Sequence, residues 1–214
     1  MIDTSRQPRS GLEADVAELY AVALRDRWGI ALILVGWVHF GIFLACQYLY
    51  GTGDRAEGHY LPLWGLDLTL SVLIARRFLV GSDRGPIPSL FLLASRVWVT
   101  FLILTFSTAS LNALVGFQTD WFKVVWSTLS TFGFAMMAWI FHLKFLVPAV
   151  QMSLTALLIA RFPGVAYLLY GMSWCLALSS VGVSLERRRL RAMVSRRPQR
   201  RRGVSALRVG DLSG

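Results

Sequence analysis

The chain has 214 residues, of which 55% are apolar and only 16% charged, with a formal net charge of +10 and a mean hydropathy of +0.55. A soluble domain of this length is nearer half apolar and about a quarter charged, so an ordinary soluble enzyme, a disulfide-rich secreted fold and a disordered chain are all excluded. The apolar excess falls into blocks long enough, as helices, to cross a hydrocarbon layer about 30 Å thick.

The first nine residues are polar. Ser10-Gly11-Leu12-Glu13 has the pattern of a capping box, in which the serine accepts from a free backbone N–H and the glutamate reaches back. Leu12, Val16, Leu19, Tyr20, Ala23 and Leu24 then recur at helical spacing, with Glu13, Asp15 and Glu18 off that stripe. The spacing predicts an amphipathic helix within a cytoplasmic N-terminal segment, residues 1–27. Its acidic face suits an anionic lipid surface poorly, so it is expected to pack on the protein's own basic tail or loops. A cleaved signal peptide does not fit, because the first apolar block is too long and is preceded by a polar stretch.

Six spans are expected within a domain covering residues 28–185: Trp28 to Tyr50, Tyr60 to Ala75 (extendable to Val80 if Arg76 and Arg77 snorkel), Val97 to Phe117, Trp121 to Phe141, Phe145 to Ala160 and Val165 to Leu185. Gly51-Thr52-Gly53-Asp54 and Arg161-Phe162-Pro163-Gly164 read as turns, and residues 81–88 as a loop. No glycine or proline marks a break near His142–Lys144, so residues 121–160 form either two spans or one kinked segment. A single helix there would be about 60 Å long, twice the hydrocarbon thickness. It would also place the arginine-rich tail on the other side.

The basic residues bear on that choice. With six spans and both ends cytoplasmic, 19 Lys and Arg lie on the inner side, and three (Arg55, Lys123 and Arg161) lie on the outer side. That is the positive-inside bias of an N-in, C-in protein. The fold class is therefore all-α, a polytopic membrane protein of six transmembrane helices with an N-terminal amphipathic helix. The expected location is a bacterial cytoplasmic (inner) membrane.

Residues 186–214 form a basic cytoplasmic tail, expected to be largely disordered, with ten Arg against Glu186 and Asp211. Arg187, Arg188, Arg189, Arg191, Arg196 and Arg197 are the candidates for anionic-lipid contact, each contributing about 1 kcal/mol when near the surface. An acidic protein partner or RNA is the alternative reading of the tail, although no nucleic-acid partner is expected. Trp28, Tyr48, Tyr50, Tyr60, Trp64 and Trp121 lie near predicted span ends, where amphipathic rings prefer to sit.

An ionisable residue inside a span is costly and calls for a reason. Arg76, Arg77, Arg96, Lys123 and Lys144 fall at predicted membrane edges and are explained by topology. His39 and Asp67 are not. His39 lies about 16 Å above the inner end of the first span, and Asp67 about 13 Å above Arg76 in the antiparallel second span. A His39–Asp67 contact at mid-membrane is expected, since an imidazole lowers the cost of a carboxylate in lipid. Gln47, two turns above His39, and Ser71, one turn below Asp67, would extend this into a polar track serving a proton, a cation or a polar substrate. The alternative is a contact that only locks two helices in register.

Other chemistries have little support. Cys46 and Cys175 fall inside apolar blocks, which gives no disulfide framework and no metal pair. His39 and His142 differ in depth by about 16 Å, which argues against bis-histidine haem and a histidine metal site. No P-loop, HExxH, GxSxG or paired carboxylates occur, so no cofactor and no catalytic residue are assigned. Thr105, Ser107, Thr108, Ser110 and Asn112, then Ser127, Thr128, Ser130, Thr131 and Gly133, then Ser179, Ser180, Gly182 and Ser184 read as close-packing positions or as a hydrated path. The chain is read as a transporter- or channel-type or ion-coupled subunit. The alternative is a structural or assembly subunit, either a homo-oligomer or part of a larger membrane complex.

Overall fold

The computed structural model describes residues 11–53, 57–79, 89–115 and 121–210. Ser10 of the expected capping box and the loop at 81–88 lie outside them. Among the described residues there are seven α-helices and no strand: α1 Gly11–Arg25, α2 Trp28–Gly51, α3 Glu57–Leu79, α4 Ser89–Val115, α5 Trp121–Ile140, α6 Leu146–Arg161 and α7 Ala166–Gly210.

Helix α1 is the predicted amphipathic helix. It packs against α7, α4 and α2, burying Leu19 and Ala23, and the Arg188 guanidinium lies 5.5 Å from the Tyr20 ring centre. Arg27 links α1 to α2 in the left-handed region, φ 58°, where a residue with a Cβ is strained by about 1–2 kcal/mol. That conformation turns the chain sharply from α1 into the first apolar helix.

The largest interface joins α2 to α7, and glycine permits it. A Cβ on Gly29 would sit 2.6 Å from the Gly182 carbonyl oxygen, and one on Gly182 would sit 2.5 Å from that of Gly29. One helical stretch further along, Gly36 meets the Cys175 backbone and Gly171 receives the Phe43 side chain. Small residues let helix backbones approach where lipid offers no hydrophobic drive for association. Helix α3 also packs on α2, α6 packs on α5 and α7, and α4 leans on α5.

An aromatic core fills the middle. Trp64 and Trp126 ring centres lie 4.9 Å apart, Phe43 and Tyr170 5.0 Å, and Trp98 and Trp174 5.6 Å. These rings come from α2, α3, α4, α5 and α7. Two expected belt residues belong to this core instead: Tyr60 and Trp64 are buried, while Tyr48 and Trp121 are exposed. Position near a span end does not tell an outward ring from an inward one; the turn of the helix does.

Among the described residues, four stretches are long and apolar enough to cross a membrane: Trp28–Gly51, Leu90–Asn112, Leu143–Arg161 and Pro163–Val194. The other two expected spans fall on α3 and α5. At 23 and 20 residues they are about 35 and 30 Å long, but both carry more polar side chains. Helix α5 faces protein on several sides and buries Lys123, Ser127 and Ser130, so hydroxyls stand where a lipid-facing helix has aliphatics.

The boundaries differ from expectation at the start of α4 and the end of α7, and the 121–160 segment divides as the six-span reading expects. Helix α4 begins eight residues before Val97, because Leu90 and Phe91 pack at the base of the bundle, Leu90 buried and Phe91 5.3 Å from Trp28. The 121–160 segment is two helices packed on one another, not one kinked helix. His142 makes the break: it is extended, and its Nδ1 accepts from the Lys144 backbone N–H at 3.1 Å. Helix α7 does not stop at Leu185 but continues to Gly210. Arg, Leu, Ala and Met are strong helix formers, and extending an existing helix needs no new nucleus.

Candidate functional site

Asp67 points from the middle of α3 toward α2, and His39 stands at the midpoint of α2. His39 Nδ1 and Asp67 Oδ1 are 2.9 Å apart, with side-chain exposures of 19% and 11%. The approach is off the line of a well-formed hydrogen bond, and neither atom has another hydrogen-bond partner in the protein. We therefore treat the contact as electrostatic, set by distance rather than by directional bonding. The His39 ring sits edge-on to Trp174 at 5.3 Å and 6.4 Å from Phe43. Aromatic walls lower the local dielectric and strengthen the electrostatic contact between the imidazole and the carboxyl group.

The other two members of the expected track part company. Gln47 Nε2 donates to the Gly164 carbonyl at 2.7 Å, and the Leu168 backbone N–H donates to Gln47 Oε1 at 3.3 Å. Gln47 thus binds the α6–α7 junction and satisfies a free N–H in the first turn of α7. Ser71 lies one turn below Asp67 on the same face of α3, with its Oγ buried and without a hydrogen-bond partner in the protein.

The hydroxyl-rich helices are mostly self-satisfied. Thr105, Thr108, Thr128, Thr131 and Ser184 each donate to the carbonyl four residues earlier, a local bond that removes them from any hydrated path. Two sets do join helices. Ser127 Oγ donates to the Met152 carbonyl and Ser130 Oγ meets Tyr170 Oη at 2.9 Å. Gln151, Thr155 and Ser173 form a buried cluster between α6 and α7. Such interhelical bonds are worth about 0.6 kcal/mol each on average. Sequence reasoning placed most of these residues on packing faces but did not find the Gln151–Thr155–Ser173 cluster. Its signal was a glutamine and a threonine four residues apart, i and i+4, on one face of α6.

Lys123 was expected at the outer membrane edge. It is buried, with Nζ 3.7 Å from the centre of the Tyr50 ring and 4.5 Å from that of Tyr167, so it seats the start of α5 through cation–π contacts. At the opposite face, Arg189 pairs with Glu186 at 3.2 Å. Arg187, Arg188 and Arg191 are exposed, and the side chains of Arg196 and Arg197 lie outside the described residues. No cluster of three or more His, Cys, Asp or Glu suited to a metal occurs among the described residues.

No family model, curated protein or solved structure matches the chain. Composition and the four membrane-length helices define the class directly: a helical integral membrane protein.

Proposed function

We propose that the chain crosses a bacterial cytoplasmic membrane six times, with both ends inside, and serves as a small ion-coupled transport subunit. The His39–Asp67 pair is the group that takes up the ion. The observation that carries this reading is an acid and a base 2.9 Å apart at the centre of the bundle, with no other partner for either atom. Ionisable residues are costly inside a membrane and commonly mark ion and proton pathways. The excess of Lys and Arg on the inner loops and tail supports the topology, and Arg187, Arg188 and Arg191 would rest on anionic lipid.

The test is flux. In liposomes under imposed H⁺, Na⁺ or K⁺ gradients, the wild-type protein is expected to carry one ion. Asp67→Asn, eluting as the same species from a sizing column, is expected to lower that flux at least tenfold. Equal flux in wild type and variant would overturn the reading.

One observation favours the alternative, a structural or assembly subunit: Gln47 is committed to the α6–α7 junction, which shortens the polar track to α2 and α3. That reading expects Asp67→Asn to be tolerated, and removal of residues 186–214 to lose a co-purifying membrane partner.

A further inference from the structure

One face of α3 carries three buried polar atoms with no hydrogen-bond partner in the protein: Trp64 Nε1, Asp67 Oδ1 and Ser71 Oγ. They succeed one another at spacings of three and four residues, which sets them about 4.5 and 6 Å apart along the helix. His39 Nδ1, in the same condition, faces them from α2. The Cys46 thiol lies beside the Trp64 indole, but sulfur is a weak acceptor. His39 Nδ1 and Asp67 Oδ1 have only each other at 2.9 Å, Trp64 Nε1 has only the weakly accepting sulfur, and Ser71 Oγ has none. An unpaired buried group costs about 1–3 kcal/mol, so an under-satisfied row along one seam calls for a common explanation.

We propose that the seam between α2 and α3 holds a short row of water molecules bonded to Trp64, Asp67 and Ser71, and that the ion served by His39–Asp67 is the proton, delivered along this row from the Ser71 side. This rests on the reading of the pair as an ion-uptake site. The chemistry of the four atoms selects the guest. The indole N–H is a donor only, the carboxylate accepts, and the serine hydroxyl does both. A metal cation would satisfy the carboxylate but would face the positive end of the indole N–H; water satisfies every member. At O···O separations of about 2.8 Å, about three waters bridge the row. In the transfer, a hydronium gives one proton to the Asp67 carboxylate and is left as water, and His39 receives the proton through the 2.9 Å contact. Ser71 lies on the Arg76 and Arg77 side of Asp67, the end that the proposed topology places toward the cytoplasm, so the proton would enter the row from there.

Trp126 provides an internal control. Its ring lies 4.9 Å from that of Trp64 and it is at least as buried, but its N–H donates to the Thr105 carbonyl at 3.1 Å. In lipid vesicles, magnetisation transfer from water to the two ¹⁵N-labelled indole N–H groups is the measurement. Transfer to Trp64 is expected to exceed transfer to Trp126 at least fivefold, and Ser71→Ala is expected to slow proton exchange at the His39 ring at least threefold. Equal transfer at the two indoles would overturn the water row. An unchanged His39 rate in Ser71→Ala, with the Trp64 signal intact, would overturn delivery from the Ser71 side. Strong transfer at Trp64 together with no ion flux in liposomes would overturn the transport reading while leaving the hydrated seam in place.

Discussion

His39→Ala is expected to destabilise the folded protein by about 3 kcal/mol in detergent unfolding titrations, and Asp67→Ala by a similar amount. Removing one partner of a buried pair leaves the other uncompensated, at a cost of about 3–5 kcal/mol. The loss is expected at the lower end because both side chains keep some exposure, 19% and 11%. The double variant His39→Leu/Asp67→Leu is expected to recover most of the stability, since the seam then becomes apolar and no charge is stranded. The cycle should therefore give a coupling energy above 1 kcal/mol, the mark of two groups in contact. Additive losses would contradict the 2.9 Å contact as an energetic pair.

Gly182→Leu is expected to be as damaging by a different route. The leucine Cβ would start 2.5 Å from the Gly29 carbonyl oxygen and 2.8 Å from Ile33 Cγ1, so α2 and α7 would have to separate. Overpacking costs about 1–3 kcal/mol even where side chains can shift, and backbone cannot shift locally. The expected loss is about 3 kcal/mol, with aggregated material on a sizing column. Gly41→Ala and Gly65→Ala supply the contrast. A Cβ meets nothing within 4 Å at either site, and both residues lie in helices where alanine is favoured by about 1 kcal/mol. Those variants are expected to be neutral or stabilised.

The helices were legible because lipid and helix geometry impose one rule on every segment: an apolar run of fixed length. The α2 and α6 boundaries follow from it to within a residue or so. The depth of the two ionisable groups was legible for the same reason. Rise per residue and antiparallel order are enough to bring residue 39 level with residue 67. What a one-dimensional reading lacks is azimuth. Gln47 and His39 share a helix face, yet α7 reaches Gln47 first and takes both ends of its amide. Trp64 and Trp121 both sit near span ends, but one turns inward and one outward. The His142 break was hidden because an imidazole cap carries no glycine or proline signature. Lys123 stands in the first turn of α5, but its burial was hidden because cation–π seating by Tyr50 and Tyr167 depends on three helices meeting.

The whole account depends on α3 and α5 crossing the bilayer along with the four more apolar stretches, since only then does Asp67 meet His39 within lipid. Single cysteines introduced at Gly53, Lys144, Gly164 and Ala192, in a background lacking Cys46 and Cys175, and challenged in intact cells with a membrane-impermeant maleimide, test this most directly. Labelling is predicted from outside at 53 and 164 only, with 144 and 192 reacting after the cells are opened. Labelling of 144 or 192 in intact cells, or protection of 53, would contradict it.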